Sequence, residues 1–247
     1  MLLTTQGLVL HTIKYGETSV IAKVFTRDLG LCSYIIKGVR TPKGRTKQNL
    51  LQPLSHLEMT VYNNPKKDLQ FVKEMRPETH DINYSVDGVR MALRFFMDEV
   101  LYKSLKENEP NQSLFDYVVD ELHKVDASEQ DAYQPIKFLI HTASHLGIEP
   151  MDNYSAHEPF FNLKEGRFLS SPTPFMEQSL QNGDIDYYLD ADSSRHIHAC
   201  LSSREAAPLM TARQRSTTLG NLLEYYHIHL SDFNNFKSHE VLHSVLR

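Results

Sequence analysis

The stretch Gln6–Ile36, QGLVLHTIKYGETSVIAKVFTRDLGLCSYII, decides the fold. It divides at two turn signals into three short runs of period two. Gln6–Lys14 (QGLVLHTIK) ends at Tyr15-Gly16-Glu17, and Ser19–Thr26 (SVIAKVFT) ends at Asp28-Leu29-Gly30. In the second run Val20, Ala22 and Val24 share one face, and Ile21, Lys23 and Phe25 share the other. Such alternation, with many β-branched residues, predicts strands with two distinct faces. Leu31–Ile36 (LCSYII) is the third strand.

Working outward, Leu54–Tyr62 (LSHLEMTVY) repeats the pattern with Leu57, Met59 and Val61. Asn63-Asn64-Pro65 turns the chain into a fifth strand near Leu69–Met75. Five antiparallel strands in under 80 residues suit an OB-fold or another small barrel, whose closure removes exposed strand edges. After Pro77 the period becomes 3.6, the mark of helices. Val89, Leu93, Phe96 and Val100 form one stripe, in a helix ending near Asn108-Glu109-Pro110. Phe115, Val118, Val119 and Leu122 form a second, with Ser113 as candidate cap. Ile136, Leu139, Ala143 and Leu146 form a third, after Pro135 and closed by Gly147. FFNLKEGRFLS (Phe160–Ser170) reads as a hairpin turning at Lys164-Glu165-Gly166. Helix returns with Leu219, Leu222, Leu223, Tyr226 and Leu230, then with Val241, Leu242, Val245 and Leu246. The expected class is α+β: a five-stranded barrel over 1–80, then a mostly helical domain over 81–247 with a small β-hairpin insertion.

The 247 residues are 40% hydrophobic and 23% charged, ordinary values for a globular protein with a real core. No apolar run approaches the ~18 residues of a membrane span. The N-terminus MLLTTQGLVLHTIK has no basic n-region or small-residue cleavage site. These features predict a cytoplasmic protein. Charge is unevenly placed: residues 1–80 hold twelve basic and six acidic residues, within a chain of formal net charge -5. A basic first third and an acidic remainder suggest two modules with different partners, only the first suited to a polyanion.

Five of those twelve cations lie in KGVRTPKGRTKQN, Lys37–Asn49, where Lys37, Arg40, Lys43, Arg45 and Lys47 stand with no acidic residue among them. Gly, Pro and Thr in this segment predict a loop. Five like charges close together do nothing for folding, so a solvated surface loop is the plain alternative. A barrel of nucleic-acid-binding size, a basic module and nearby aromatics favour phosphate neutralisation. Tyr15, Phe25, Tyr34 and Tyr62 are candidate stacking faces, although each is also a candidate for the barrel core.

These residues also resemble a family. GLVLHTIKYGETSVIAKVFTRDLG, IIKGVR and LQPLSHLEM follow the order of the N-terminal domain of RecO, the bacterial recombination mediator. The shared elements are a G-[IL]-V-L strand, a Y-G-E-[TS] turn, an F-T-x-x-x-G turn, K-G-x-[KR] and L-Q-P-[FL]. LGIEP and the terminal SHEVLHSVL are similar too. The resemblance implies an N-terminal OB-fold, a helical domain and binding of single- and double-stranded DNA without sequence specificity. It implies annealing of single strands, and loading of the recombinase together with RecR. It also implies contact with the acidic C-terminal tail of single-strand binding protein. The family's basic DNA-contacting positions correspond to Lys37 and Arg40, and the charge argument adds Lys43, Arg45 and Lys47.

One departure concerns metal. Many family members carry two C-x-x-C pairs after the third helix, forming a zinc ribbon. Here MDNYSAHEPFFNLKEGRFLSS has no cysteine and only His157 as a histidine. Zinc needs about four soft or imidazole ligands. Segment 148–175 is therefore expected to be a metal-free remnant, its hairpin packed by Phe160, Phe161 and Phe168. Cys32 and Cys200 form no motif.

Thirteen histidines invite other chemistry. His141 and His145 have the i, i+4 spacing of a metal pair but lack the H-E-x-x-H acid. His196/His198 and His227/His229 are bare H-x-H pairs. There is no phosphate-binding G-x-x-x-x-G-K-[ST] loop and no G-x-S-x-G elbow. The carboxylates of DIDYYLDAD (184–192) read as a loop or helix end, with a two-metal nuclease as the enzymatic alternative. The expectation is no enzyme and no cofactor. The non-enzymatic alternative is an interaction adaptor whose barrel binds acidic peptides rather than nucleic acid.

Overall fold

The computed structural model describes residues 1–42, 44–78, 87–127, 131–170, 187–203 and 209–245. The chain divides into two compact units, Met1–Gln130 and Asp131–Arg247. The change of period expected near residue 80 lies among 79–86, outside the described residues.

In the first unit β1 (Leu2–Tyr15), β2 (Ser19–Thr26), β3 (Gly30–Ile36), β4 (His56–Tyr62) and β5 (Leu69–Pro77) close into a barrel in the order β1-β2-β3-β5-β4. This is the expected five-stranded OB-type barrel. β1 is longer than its alternation suggests because it serves two neighbours. Leu2–Leu8 pairs with β4, Gly7–Tyr15 pairs with β2, and a bulge falls between Val9 and His11. A bulge sharpens twist and lets one strand bend from one sheet face to the next. The other pairings are antiparallel except β3 with β5, where Ile35 stands beside Phe71 in parallel register.

Alternation decides what each face meets. Val9, Val20, Ala22, Val24, Tyr34, Leu57, Met59 and Val61 fill the interior. The outward residues fall into two groups. Leu8, Leu10, Phe25 and Leu31 point outward yet are buried, because helices cover that side. α2 (Gly88–Ser104) packs on β1, with His11 and Tyr102 rings 5.2 Å apart. α3 (Gln112–Asp126) sets Phe115 edge-on against Phe25 at 5.4 Å. Arg94 joins the two helices through Asp126, with Nη2 2.6 Å from Oδ2. At the other end of the barrel the outward residues Leu2, Ile13, Tyr62 and Phe71 remain exposed.

The caps are partly as the sequence suggests. Asn111, rather than Ser113, caps α3 by accepting the Leu114 N–H at 3.0 Å. Its position one residue before the first helical turn lets its carbonyl oxygen reach that orphan donor. Asp87 does the same for α2. Gly30 closes the turn from β2 to β3 at φ +73°, and a Cβ there would lie 2.3 Å from the Glu109 carbonyl oxygen.

The second unit holds α4 (Gln134–Leu146), a hairpin of β6 (Phe160–Asn162) and β7 (Arg167–Leu169), α5 (Ala191–Ser202), α6 (Ala212–His229) and α7 (Ser238–Val245). Gly147 closes α4 as expected. The hairpin turns where Asn162 Oδ1 accepts the N–H groups of Lys164 and Glu165. Phe161 and Phe168 are fully buried and meet at 5.0 Å, while Phe160 is only half-buried. Residues 171–175 of the expected remnant lie outside the described residues. Leu219, Leu222, Leu223 and Tyr226 are buried on α6, with the Tyr226 hydroxyl donating to the Leu139 carbonyl at 2.6 Å. Val241 is exposed and Leu242 buried, so only one of the two described positions of the expected terminal stripe is covered. Leu246 lies outside the described residues, as does the side chain of Val245. No described helix is long and apolar enough to cross a membrane.

Candidate nucleic-acid interface

The basic segment leaves β3 at Lys37 and is fixed at both ends by apolar residues. Val39 and Leu51 are buried in the barrel's core cluster. Between them Thr41 Oγ1 donates to the Gly38 carbonyl at 2.9 Å, and Gly44 N–H donates to Thr41 at 2.8 Å. The expectation of loop throughout fails at Arg45–Asn49, which forms the single-turn helix α1 with Gly44 at its N-cap. Gly, Pro and Thr occupy the part before this turn, and Arg45–Asn49 itself contains no Gly or Pro, so nothing breaks it. Gly44 is required by space: a Cβ would stand 2.2 Å from the Val39 carbonyl oxygen.

The segment is therefore an anchored cap on the barrel that holds its cations outward. Lys37, Arg40, Arg45 and Lys47 are all exposed. Among the described residues none of these four forms a salt bridge with a carboxylate. Their contacts are with neutral groups. Arg40 Nη1 donates to the Gly16 carbonyl at 2.9 Å, on the β1–β2 turn. Lys47 Nζ donates to the Lys37 carbonyl at 3.2 Å. Lys37 Nζ lies 5.1 Å from the centre of the Phe71 ring. Lys43 lies outside the described residues.

Lys37 and Lys47 border an open groove of about 1060 Å³ on the exposed side of the barrel. Its floor is β4 and β5, with Tyr62, Phe71, Lys73 and Arg76 on its surface. Two carboxylates also line it, Glu58 and Glu74. Arg76 Nη2 pairs with Glu58 Oε1 at 2.7 Å. With four cations against two carboxylates the groove has a net positive lining suited to a polyanion. Arg40 and Arg45 are not among the described residues lining it, so the four described sequence candidates do not converge on one point.

Local sequence does not single out Lys73, Arg76 and Phe71. They lie about 30 residues from the basic segment, and pairing of β3 with β5 brings them to it. The one available signal was that the LQFVKEMR strand carries two cations and an aromatic. Of the four aromatic candidates, Phe25 and Tyr34 are fully buried, while Tyr15 and Tyr62 are exposed. The Tyr34 hydroxyl is pushed well above its ordinary range by burial, as a core tyrosine should be.

Three histidines of the H-x-H pairs have structural partners. His198 Nδ1 lies 2.7 Å from Asp152 Oδ1, and its ring stacks on Tyr154 at 4.4 Å. His227 and His229 meet the carbonyls of Phe233 and Leu163. Asp190 of the acidic run caps α5, whereas Asp184 and Asp186 lie outside the described residues. Among the described residues no three His, Cys, Asp or Glu side chains gather into a metal-holding group.

Comparison with known proteins finds relatives along the length of this chain. Residues 1–79 match the family profile of Recombination protein O N terminal, and residues 85–160 that of Recombination protein O C terminal. A protein of Flavobacterium psychrophilum named DNA repair protein RecO is 32% identical, over 99% of this chain and 99% of its own. Proteins of the same name from Christiangramia forsetii and Bacteroides fragilis are 26% and 29% identical, over 99% and 98% of this chain and the same shares of their own.

Proposed function

This chain belongs to the RecO family of DNA repair proteins, and from that premise we propose that it is a non-enzymatic recombination mediator whose barrel binds DNA. The observation that carries the reading is the groove in which Lys37, Lys47, Lys73 and Arg76 surround the exposed rings of Tyr62 and Phe71. Cations bind phosphates, which carry no base identity, so binding is without sequence specificity on both single and double strands. Arg40 and Arg45 extend the positive surface beyond the groove, and Lys43 adds a further charge to the same segment of sequence.

Annealing follows from the same property. A surface that neutralises phosphates lowers the repulsion between two complementary strands. In this reading residues 1–80 form the DNA-binding domain, and the helical remainder supplies partner contacts, with 148–175 as a metal-free remnant of the zinc ribbon. Loading of the recombinase with RecR, and docking of the acidic tail of single-strand binding protein, rest on family membership. The tail is acidic, so salt should weaken that contact.

An annealing assay with two labelled complementary strands tests the proposal. The full chain should accelerate annealing, and Lys37→Glu with Lys47→Glu should reduce that acceleration while leaving the fold intact. A folded wild-type chain that binds neither single strands nor duplex would overturn the reading. Acidic peptides captured by the same groove would then favour the adaptor alternative.

A further inference from the structure

Tyr62 on β4 and Phe71 on β5 are direct cross-strand partners. Residues opposite one another in an antiparallel pair share a face, with Cβ atoms about 4.5–5.5 Å apart. That face is the outer one, because neighbouring Val61 is fully buried in the barrel interior. Tyr62 is 48% exposed and Phe71 37% exposed. The row continues onto β1, where Leu2 pairs with Tyr62 and is exposed as well. Exposed aromatic surface of this kind marks a binding site when its rim is polar.

The rim says what binds. Lys37 holds its ammonium over the Phe71 ring, Lys47 is tied to the Lys37 carbonyl, and Lys73 and Arg76 stand on the same groove. An apolar partner would meet four cations and two carboxylates here, Arg76 being paired with Glu58, whereas a single strand offers both phosphates for the net positive rim and flat bases for the rings. Duplex DNA offers the phosphates alone, since its base faces are already stacked on one another.

We infer that Tyr62 and Phe71 are a stacking platform for the bases of a single strand, and that Lys37 leaves the Phe71 face for a phosphate when a base takes its place. This rests on the DNA-binding reading above and names the residues that distinguish single strands from duplex. Stacking is tolerant of base identity because every base has a π-face. The cation–π contact meanwhile keeps the ring covered and the ammonium close to where a phosphate arrives.

Binding of the full chain to three labelled ligands of equal length tests the inference: oligothymidylate, an abasic strand with the same phosphates, and a duplex. The wild type should bind the abasic strand about a hundredfold more weakly than oligothymidylate, a factor of about ten for each ring. Phe71→Leu and Tyr62→Leu, both conservative changes at exposed positions, should each lose about tenfold on oligothymidylate and leave duplex affinity unchanged. Equal wild-type affinity for abasic strand and oligothymidylate would overturn the inference without any variant. So would full oligothymidylate affinity in folded Phe71→Leu, or displacement of the platform's ligand by an acidic peptide but not by bases. Those outcomes leave DNA binding standing, whereas a wild type that binds none of the three ligands removes both claims together.

Discussion

Arg27 grips Asp116 through two parallel hydrogen bonds, Nε to Oδ1 at 2.7 Å and Nη2 to Oδ2 at 2.8 Å. This fork joins the end of β2 to α3, so a barrel strand and its covering helix share one charged contact as well as the Phe25–Phe115 packing. A planar guanidinium meeting a carboxylate in this way is better ordered than an ordinary surface pair.

The pair gives the first prediction. The Arg27 hydrogen bond holds the Asp116 carboxyl below its ordinary range. A carboxylate depressed on folding contributes stability above its unfolded pKa of about 3.9 and loses it as pH falls through the folded value. Wild type should therefore melt slightly above Asp116→Asn at neutral pH, and the gap should close below about pH 4. Both side chains are substantially exposed, so the gap will be small. A gap that widened in acid would contradict the assignment.

A second prediction concerns Gly44. A methyl group at this position meets the Val39 and Gly38 carbonyls at 2.2 and 2.3 Å. Backbone cannot yield as a flexible side chain can, so α1 must shift. Gly44→Ala should cost about 1–3 kcal/mol and should weaken DNA binding by carrying Lys47 away from Lys37. Unchanged melting and unchanged DNA affinity would show that α1 is free to move.

The hairpin of the second unit supplies a third. Phe168 is fully buried, edge-on to Phe161 at 5.0 Å and to Tyr154 at 5.3 Å. Phe168→Ala should destabilise this unit by about 3–5 kcal/mol, by lost transfer energy and the cavity left behind. A chelator should leave the wild-type melting temperature unchanged if aromatic burial, rather than metal, holds the hairpin. Stoichiometric zinc whose removal lowers the melting temperature would contradict that account.

The barrel was legible because β2 and β4 alternate cleanly. SVIAKVFT gives Ser19–Thr26 to the residue, since every second side chain is apolar and both ends carry turn residues. The start of β1 was harder, because LLTTQ alternates poorly and gains its strand character from pairing with β4. The basic segment was visible as charge, but its anchoring by Val39 and Leu51 is a tertiary fact. The floor of the groove was least visible. In LQFVKEM, Phe71 and Val72 are adjacent and equally apolar. Only the pairing of Phe71 with Tyr62 and Ile35 determines which of them faces outward. Local sequence carries period, whereas the closing of β5 against β3 depends on contacts across some 35 residues of chain.

The central claim is that the basic cap and the groove beside it bind the phosphates of single-stranded DNA. The salt dependence of affinity measures this most directly, because each neutralised phosphate of a single strand contributes about -0.7 to the slope of log K against log salt. With about three to five phosphates engaged, the wild type should give a slope of roughly -2 to -3.5 on a mixed-sequence strand. Replacing Lys37, Arg40, Lys43, Arg45 and Lys47 together by Ala should flatten that slope while circular dichroism shows the barrel intact. A folded variant with the wild-type slope would contradict the claim and place the DNA site elsewhere on the protein.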